Sequence, residues 1–293
     1  MKQRRRCRRI TAQVLLFLSA SLFAFALIAP TVLTITNSFM KQSELNVNYG
    51  MLYGPALTGE MDVNLKFIPD TVTTSQYATV LLKTPDYLFK FWNSVILVFP
   101  IVAFQLAVAL LASYGFARWP SRLKELLFFA YIILMLMPYQ VTLVPNYLVS
   151  DWLGILKTRW AVWLPAIVSP FSVFLLTKHM RRIPASYTEA AQLDGAGRWQ
   201  VFRYIYLPLC RGILCSVGIL LFIDYWNMVE QPLILLKDAR KFPLSVYLAS
   251  INSQELGIAF AAATIYMIPP GLMFLYGKEY LVQGITYSGG IKA

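Results

Sequence analysis

The chain has 293 residues, of which 58% are hydrophobic and only 14% charged, and it carries a formal net charge of +12. Soluble domains carry about a quarter charged residues, so lipid is the solvent for most of this chain. Its basic residues lie beside apolar runs, as in membrane proteins that orient themselves by charge, and do not line a groove for DNA or RNA; nucleic acid is excluded as a partner.

Three cysteines, Cys7, Cys210 and Cys215, form no CxxC pair and read as small apolar filler. A single histidine, His179, cannot build a His-rich zinc site. No Walker A pattern occurs, so the chain holds no nucleotide by that device.

A spanning helix needs about 20 mostly apolar residues. Six stretches qualify, roughly 12–36, 93–117, 126–148, 160–178, 212–230 and 256–277. The first follows the basic start "MKQRRRCRR". It is longer than a signal-peptide core of about 7–15 residues, so an uncleaved anchoring helix is expected. Residues 37–92 make an outer loop. Within it, "SELNVNYGMLYGPALTGEMDVNLKF" reads as a folded loop or short hairpin. "TTSQYATVLLK" reads as a short helix capped by Thr73 or Thr74, and "TPDYLFKFW" as the start of an interfacial helix opened by Pro85.

Aromatic residues near the span ends, among them Trp92, Trp119, Trp152 and Trp160, match interfacial belts. With the N-terminus inside, most of the 26 lysines and arginines fall in inside segments, including Arg4, Arg118, Arg181, Arg198 and Lys292, so both termini are expected in the cytoplasm. Prolines inside the spans (Pro100, Pro138, Pro145, Pro165, Pro170, Pro269 and Pro270) are expected to bend them, either around a cavity or as ordinary packing. The small residues Gly257 and Ala261, and Gly212 and Ser216, are spaced for close helix approach. No repeat and no linker divides the chain, so residues 1–293 are expected to form one membrane domain.

Residues 179–211 break the apolar pattern. Ser186 and Glu189 have capping-box spacing, which predicts a short helix from Tyr187 to about Leu193. Asp194-Gly195 stops it, because glycine takes the left-handed conformation at little cost. A second helix is expected from Gly197, with Trp199, Phe202, Ile205 and Tyr206 at helical spacing, and Pro208 is expected to bend the chain into the fifth span. A two-turn helix is not stable alone in water. Its slim Ala190-Ala191 face docks either in a groove of a partner or on the chain's own helices.

Buried polar groups in lipid are costly and so become site candidates. They are Tyr139 and Gln140 in the third span, and Asp224, Trp226 and Asn227 in the fifth. An aromatic face stacks on a sugar, and amides and carboxylates bind its hydroxyls; the same groups can instead bond neighbouring helices.

The pattern Glu189-Ala190-Ala191, Gly195, Ile205, Leu207 and Pro208 resembles the cytoplasmic signature of binding-protein-dependent ABC importer permeases. "EAAQLDGAGRWQVFRYIYLPL" resembles the carbohydrate branch, especially the second permease of maltose-type importers. "FWNSVIL", "YGFARWP", "MPYQVTLVPNYL", "YWNMVEQPLILL" and "FPLSVYLA" agree with it, so the resemblance covers about residues 85–293. Arg211-Gly212 departs from it where many members have proline, and the outer loop around 45–64 is longer than usual.

The resemblance implies an all-α integral membrane protein of the type I ABC importer permease fold, with six transmembrane helices, both termini cytoplasmic and a cytoplasmic coupling helix. It implies a non-catalytic permease subunit in a bacterial or archaeal cytoplasmic membrane. Its partners would be a second permease, two copies of a cytoplasmic ATPase that binds ATP and Mg, and an extracytoplasmic solute-binding protein that delivers a carbohydrate. The chain itself would hold no cofactor and no metal. Glu189 would contact the ATPase, Ala190 and Ala191 would line the cleft, and Asp194-Gly195 would fix the turn. The alternatives are an importer for a non-sugar solute and a secondary transporter. The latter lacks support in internal repeats or several buried carboxylates, and an intramembrane serine protease lacks a histidine within the spans.

Overall fold

A computed structural model describes residues 2–49, 64–83, 85–119, 121–250 and 255–286, with side chains from residue 13 to residue 281 within those segments. The described residues are helical, and the one β-type pairing among them is an isolated bridge between Met40 and Val72. In chain order the helices are α1 (Lys2–Asn37), α2 (Gln42–Tyr49), α3 (Ser75–Ala78), α4 (Pro85–Arg118), α5 (Arg122–Met135), α6 (Tyr139–Trp152), α7 (Trp160–Ile167) and α8 (Pro170–Met180). They continue as α9 (Ala185–Leu193), α10 (Arg198–Val201), α11 (Leu207–Leu209), α12 (Arg211–Trp226), α13 (Glu230–Leu235), α14 (Leu244–Ser250) and α15 (Leu256–Thr286). Four spans are long and apolar enough to cross a membrane, and up to six if each of two bent pairs counts as one. Among the described residues none of the apolar window of α1 is buried, which suits a helix whose solvent is lipid.

Several boundaries differ from the sequence reading for local reasons. The expected interfacial helix and the second span are one 34-residue helix, α4, opened by Pro85, whose fixed φ suits a first helical position. The third span is broken: α5 and α6 meet at 104° around Pro138, whose extended backbone (ψ 139°) cannot continue a helix. Pro100, Pro269 and Pro270 lie inside helices that run on as single elements, so proline alone does not decide a sharp bend. Ser169 caps α8, its hydroxyl accepting from the Ser172 amide at 3.4 Å, with Pro170 at the first position. Of the two threonines before α3, Thr73 supplies the side-chain bond, accepting from the Ser75 amide at 3.2 Å. Part of the expected folded loop or hairpin is helix α2; residues 50–63 of it lie outside the described residues, as does Lys292.

The chain divides into two compact units. The first comprises Met1–Tyr87 and Ser250–Met267. Its core is Met40, Leu45, Tyr49 and Leu256, with Phe260 packed against them. Asn37 donates to the Tyr49 hydroxyl at 2.7 Å, and the Gln76 amide donates to the Met40 carbonyl at 2.6 Å. Gly257 donates its amide to Gln42 at 2.9 Å. A Cβ there would stand 2.8 Å from Gln42 Oε1 and 2.9 Å from Gln76 Cγ, so any larger residue would displace both side chains. The Glu44 carboxylate accepts from the Asp70 amide at 2.9 Å and pairs with Lys66 at 3.0 Å.

The second unit comprises Leu88–Ala249 and Ile268–Ala293. Ala109 of α4 and Val173 and Leu176 of α8 form one buried cluster, against which Ile213 and Leu214 of α12 pack. Ser216 of α12 donates to the Tyr280 carbonyl of α15 at 2.6 Å. Serine is short enough to keep these helices close while satisfying its own hydroxyl.

Candidate functional site

The loop from 181 to 210 belongs to the second unit. Helix α9 begins directly after Pro184 (φ −55°, ψ 138°) and has no side-chain cap. The Ser186–Glu189 capping box is therefore not formed: Ser186 lies inside the first turn, because proline supplies the extended residue that starts the helix. The helix ends as its sequence predicts, with Asp194 at the cap and Gly195 at φ +82°. The Gly195 amide donates to the Gln192 carbonyl at 3.0 Å and the Ala196 amide to the Ala191 carbonyl at 2.9 Å, closing the last turn.

No residue of α9 is buried. Glu189, Ala190, Asp194 and Gly195 are exposed and Ala191 is half-buried. Leu193, at the tip, is 90% exposed. The helix is held from beneath. Ala191 and Ala196 pack on a buried cluster of Met180, Ile183, Val201, Phe202, Tyr206 and Cys210. The Thr188 hydroxyl and the Tyr206 hydroxyl are 3.0 Å apart. Arg118, the last residue of α4, donates to the Ile183 carbonyl at 2.5 Å and lies 4.8 Å from the centre of the Tyr206 ring.

The second half of the loop departs further from the reading. It starts at Arg198, with the Gly197 amide donating to the Gln200 side chain at 2.7 Å, but Phe202–Tyr206 form a π turn. That wider turn places both Phe202 and Tyr206 against Tyr114 of α4, at centroid distances of 5.0 Å and 5.1 Å. Pro208 sits inside the short α11, and the chain turns by 69° at Cys210, not at the proline.

A second feature lies between the bent third span and the end of α12. It is a cavity of about 780 Å³. Tyr139 and Gln140, at the start of α6, line it, as do Asp224 and Asn227 at the end of α12. Asp224 and Asn227 are three residues apart and so share a helix face. Trp226 is two residues from Asp224 and faces away; it is buried, with its ring 5.8 Å from Phe91 and 5.3 Å from Phe222. Trp226 is thus a core residue and not a wall of the cavity. Glu230 and Gln231 of α13 also line the cavity, and Gln231 is hydrogen-bonded to Tyr139. Sequence reasoning passed over these two, although they stand in the same "YWNMVEQP" segment. Among the described residues no group of histidines, cysteines and carboxylates is placed to hold a metal.

The family of binding-protein-dependent transport system inner membrane components matches residues 105–287, a stretch that holds both the loop and the cavity. The lactose transport system permease protein LacG of Rhizobium radiobacter is 32% identical over 206 residues, which is 69% of this chain and 76% of that protein. The arabinooligosaccharides transport system permease protein AraQ of Halalkalibacterium halodurans is 26% identical over 281 residues, covering 95% and 96%. A crystal structure of a bacterial ABC transporter involved in the import of the acidic polysaccharide alginate has a chain of the same fold. It superposes with a TM-score of 0.76 at 21% identity, over 93% of this chain and 96% of that one.

Proposed function

This chain belongs to the family of binding-protein-dependent transport system inner membrane components, and from that premise we propose that it is the permease subunit of an ATP-driven ABC importer for a carbohydrate. It forms half of the translocation pathway, pairs with a second permease, and sits in a bacterial or archaeal cytoplasmic membrane as one domain with both termini inside. Two copies of a cytoplasmic ATPase bind ATP and Mg and do the hydrolysis; an extracytoplasmic binding protein delivers the sugar. The sugar permeases it resembles support the carbohydrate assignment.

The observation that carries the reading is α9. A helix of nine residues with no buried side chain does not hold itself in water. Its outer face is slim at Ala190 and ends in the apolar Leu193, which fits a groove in a partner. Its inner face is tied to the chain through Thr188, Ala191 and the Tyr206–Arg118 contact. The contact with the chain's own helices thus leaves the outer side of α9 open to a partner.

Force on α9 has a defined route. The cluster beneath it includes Ile213 and Leu214 of α12. At 1.5 Å per residue, Asp224 lies about 16 Å further along the same helix. Closing the ATPase dimer draws the α9 helices together, tilts α12 and moves Asp224 and Asn227 at its far end. The cavity is the substrate pathway, and Tyr139, Gln140, Asp224 and Asn227 offer hydroxyl and amide groups and a carboxylate to sugar hydroxyls.

The test is a cross-link. A thiol introduced by Leu193→Cys in the intact complex is expected to join the ATPase subunit with a short bifunctional reagent, and ATP is expected to change the yield. Absence of any cross-link from this site, with the complex active, contradicts the reading.

A further inference from the structure

We infer that the cavity excludes anions, so that the solute it passes carries no negative charge: a neutral or amino sugar and not a uronic acid. The inference rests on the reading of the cavity as the pathway and names the charge class of what passes.

Two carboxylates open into the cavity. Asp224 stands in the last turn of α12 and Glu230 in the first of α13, and both side chains are exposed. Among the described residues no lysine, arginine or histidine lines it. Neither carboxylate is in an ion pair among the described residues. Of the cations on adjoining segments, Lys237 donates to the Tyr147 hydroxyl at 2.8 Å and Arg159 to Asn93 at 2.9 Å, and neither pairs with these carboxylates. The remaining polar walls, such as Tyr139, Gln140, Asn227 and Gln231, are uncharged. A cleft lined by one sign of charge between low-dielectric walls focuses its field. Sugar hydroxyls can donate to these carboxylates, and an ammonium can pair with them. On this chain's wall of the pathway a sugar carboxylate would meet two like charges and no counter-ion.

The experiment reads the field directly, whatever the sugar. In the complete importer, Thr142→Cys places a thiol in the cavity wall, on a background of Cys7→Ser and Cys215→Ser that leaves only the buried Cys210. Its rates with a cationic and an anionic methanethiosulfonate of equal size are compared, each divided by the rate with free 2-mercaptoethanol. A preference for the cation of about tenfold is expected, reduced in Asp224→Asn and in Glu230→Gln and abolished in the double variant, all near-isosteric changes. No preference, preference for the anion, no reaction at the new thiol, or a preference the double variant leaves untouched overturns the inference. ATP-driven uptake by the same preparation separates the two claims. Uptake without cation preference removes the filter alone, and cation preference without ATP-driven uptake under any condition removes the importer reading alone.

Discussion

Gly195 is the sharpest point at which the sequence makes a conformational demand. Its φ of +82° lies where a side chain is unfavourable, yet a Cβ built there meets nothing within 4 Å. The whole effect of a substitution is therefore backbone strain, with no clash to confuse it. That strain is about 1–2 kcal/mol for an ordinary L-residue, more for a β-branched one, and least for asparagine or aspartate, which visit this region. A loss of that size lowers the ratio of closed to open α9 by about 5- to 30-fold. Gly197 provides the control: it has φ −70°, and a Cβ there would lie 3.6 Å from Gln200, an ordinary contact. The assay is the affinity of the ATPase subunit for the purified permease. Gly195→Val is expected to weaken it by up to about 30-fold, Gly195→Asn much less, and Gly197→Ala hardly at all. If Gly195→Val binds like the parent, or Gly195→Asn is as weak as Gly195→Val, the backbone argument is wrong.

Thr188→Val removes the 3.0 Å bond to Tyr206 while keeping the shape of the side chain, and is expected to loosen α9 by about 0.5–1.5 kcal/mol, seen as faster hydrogen exchange in residues 185–193. Gly277→Ala is expected to destabilise the chain by about 1–3 kcal/mol, because its Cβ would stand 1.9 Å from Ile219 Cδ1. With Ile219→Ala added, thermal unfolding in detergent should show less loss than the sum of the two single changes. Glu44 is held below the usual carboxylate range, chiefly by the Asp70 amide, with the Lys66 ammonium adding to it. Its stabilisation is therefore present above the ordinary carboxylate pKa and lost as pH falls through the lowered one. Protection of the Asp70 and Thr71 amides, corrected for intrinsic exchange, should be full near neutral pH, fall only in acid, and be lost at all pH in Glu44→Ala, which removes both acceptor oxygens.

What the sequence made legible follows from which interactions are local. The end of α9 was readable because Asp194-Gly195 carries its own backbone preference. Its start was not, because Ser186 and Glu189 have capping spacing but Pro184 sits earlier and takes the extended position first. Apolar length located the helices, but not the 104° break at Pro138 as against the unbroken run through Pro269 and Pro270, since that difference depends on packing around each proline. The cavity was half readable. Helical spacing pairs Asp224 with Asn227 and already turns Trp226 aside, a point that periodicity alone would have caught. Glu230 and Gln231 reach the cavity only because α12 ends at Trp226 and α13 starts anew at Glu230. The π turn at Phe202–Tyr206 has no local signal, since it answers to the tyrosine on α4.

The central claim is that α9 couples this chain to an ATPase. The direct measurement is mass spectrometry of the intact assembly that co-purifies with a tagged copy from its native host in mild detergent. The account predicts a second permease and two copies of an ATPase with the parent chain, and loss of the ATPase alone with Leu193→Asp. Recovery of the chain by itself or as a homo-oligomer in several detergents, or an ATPase retained undiminished by Leu193→Asp, would contradict it.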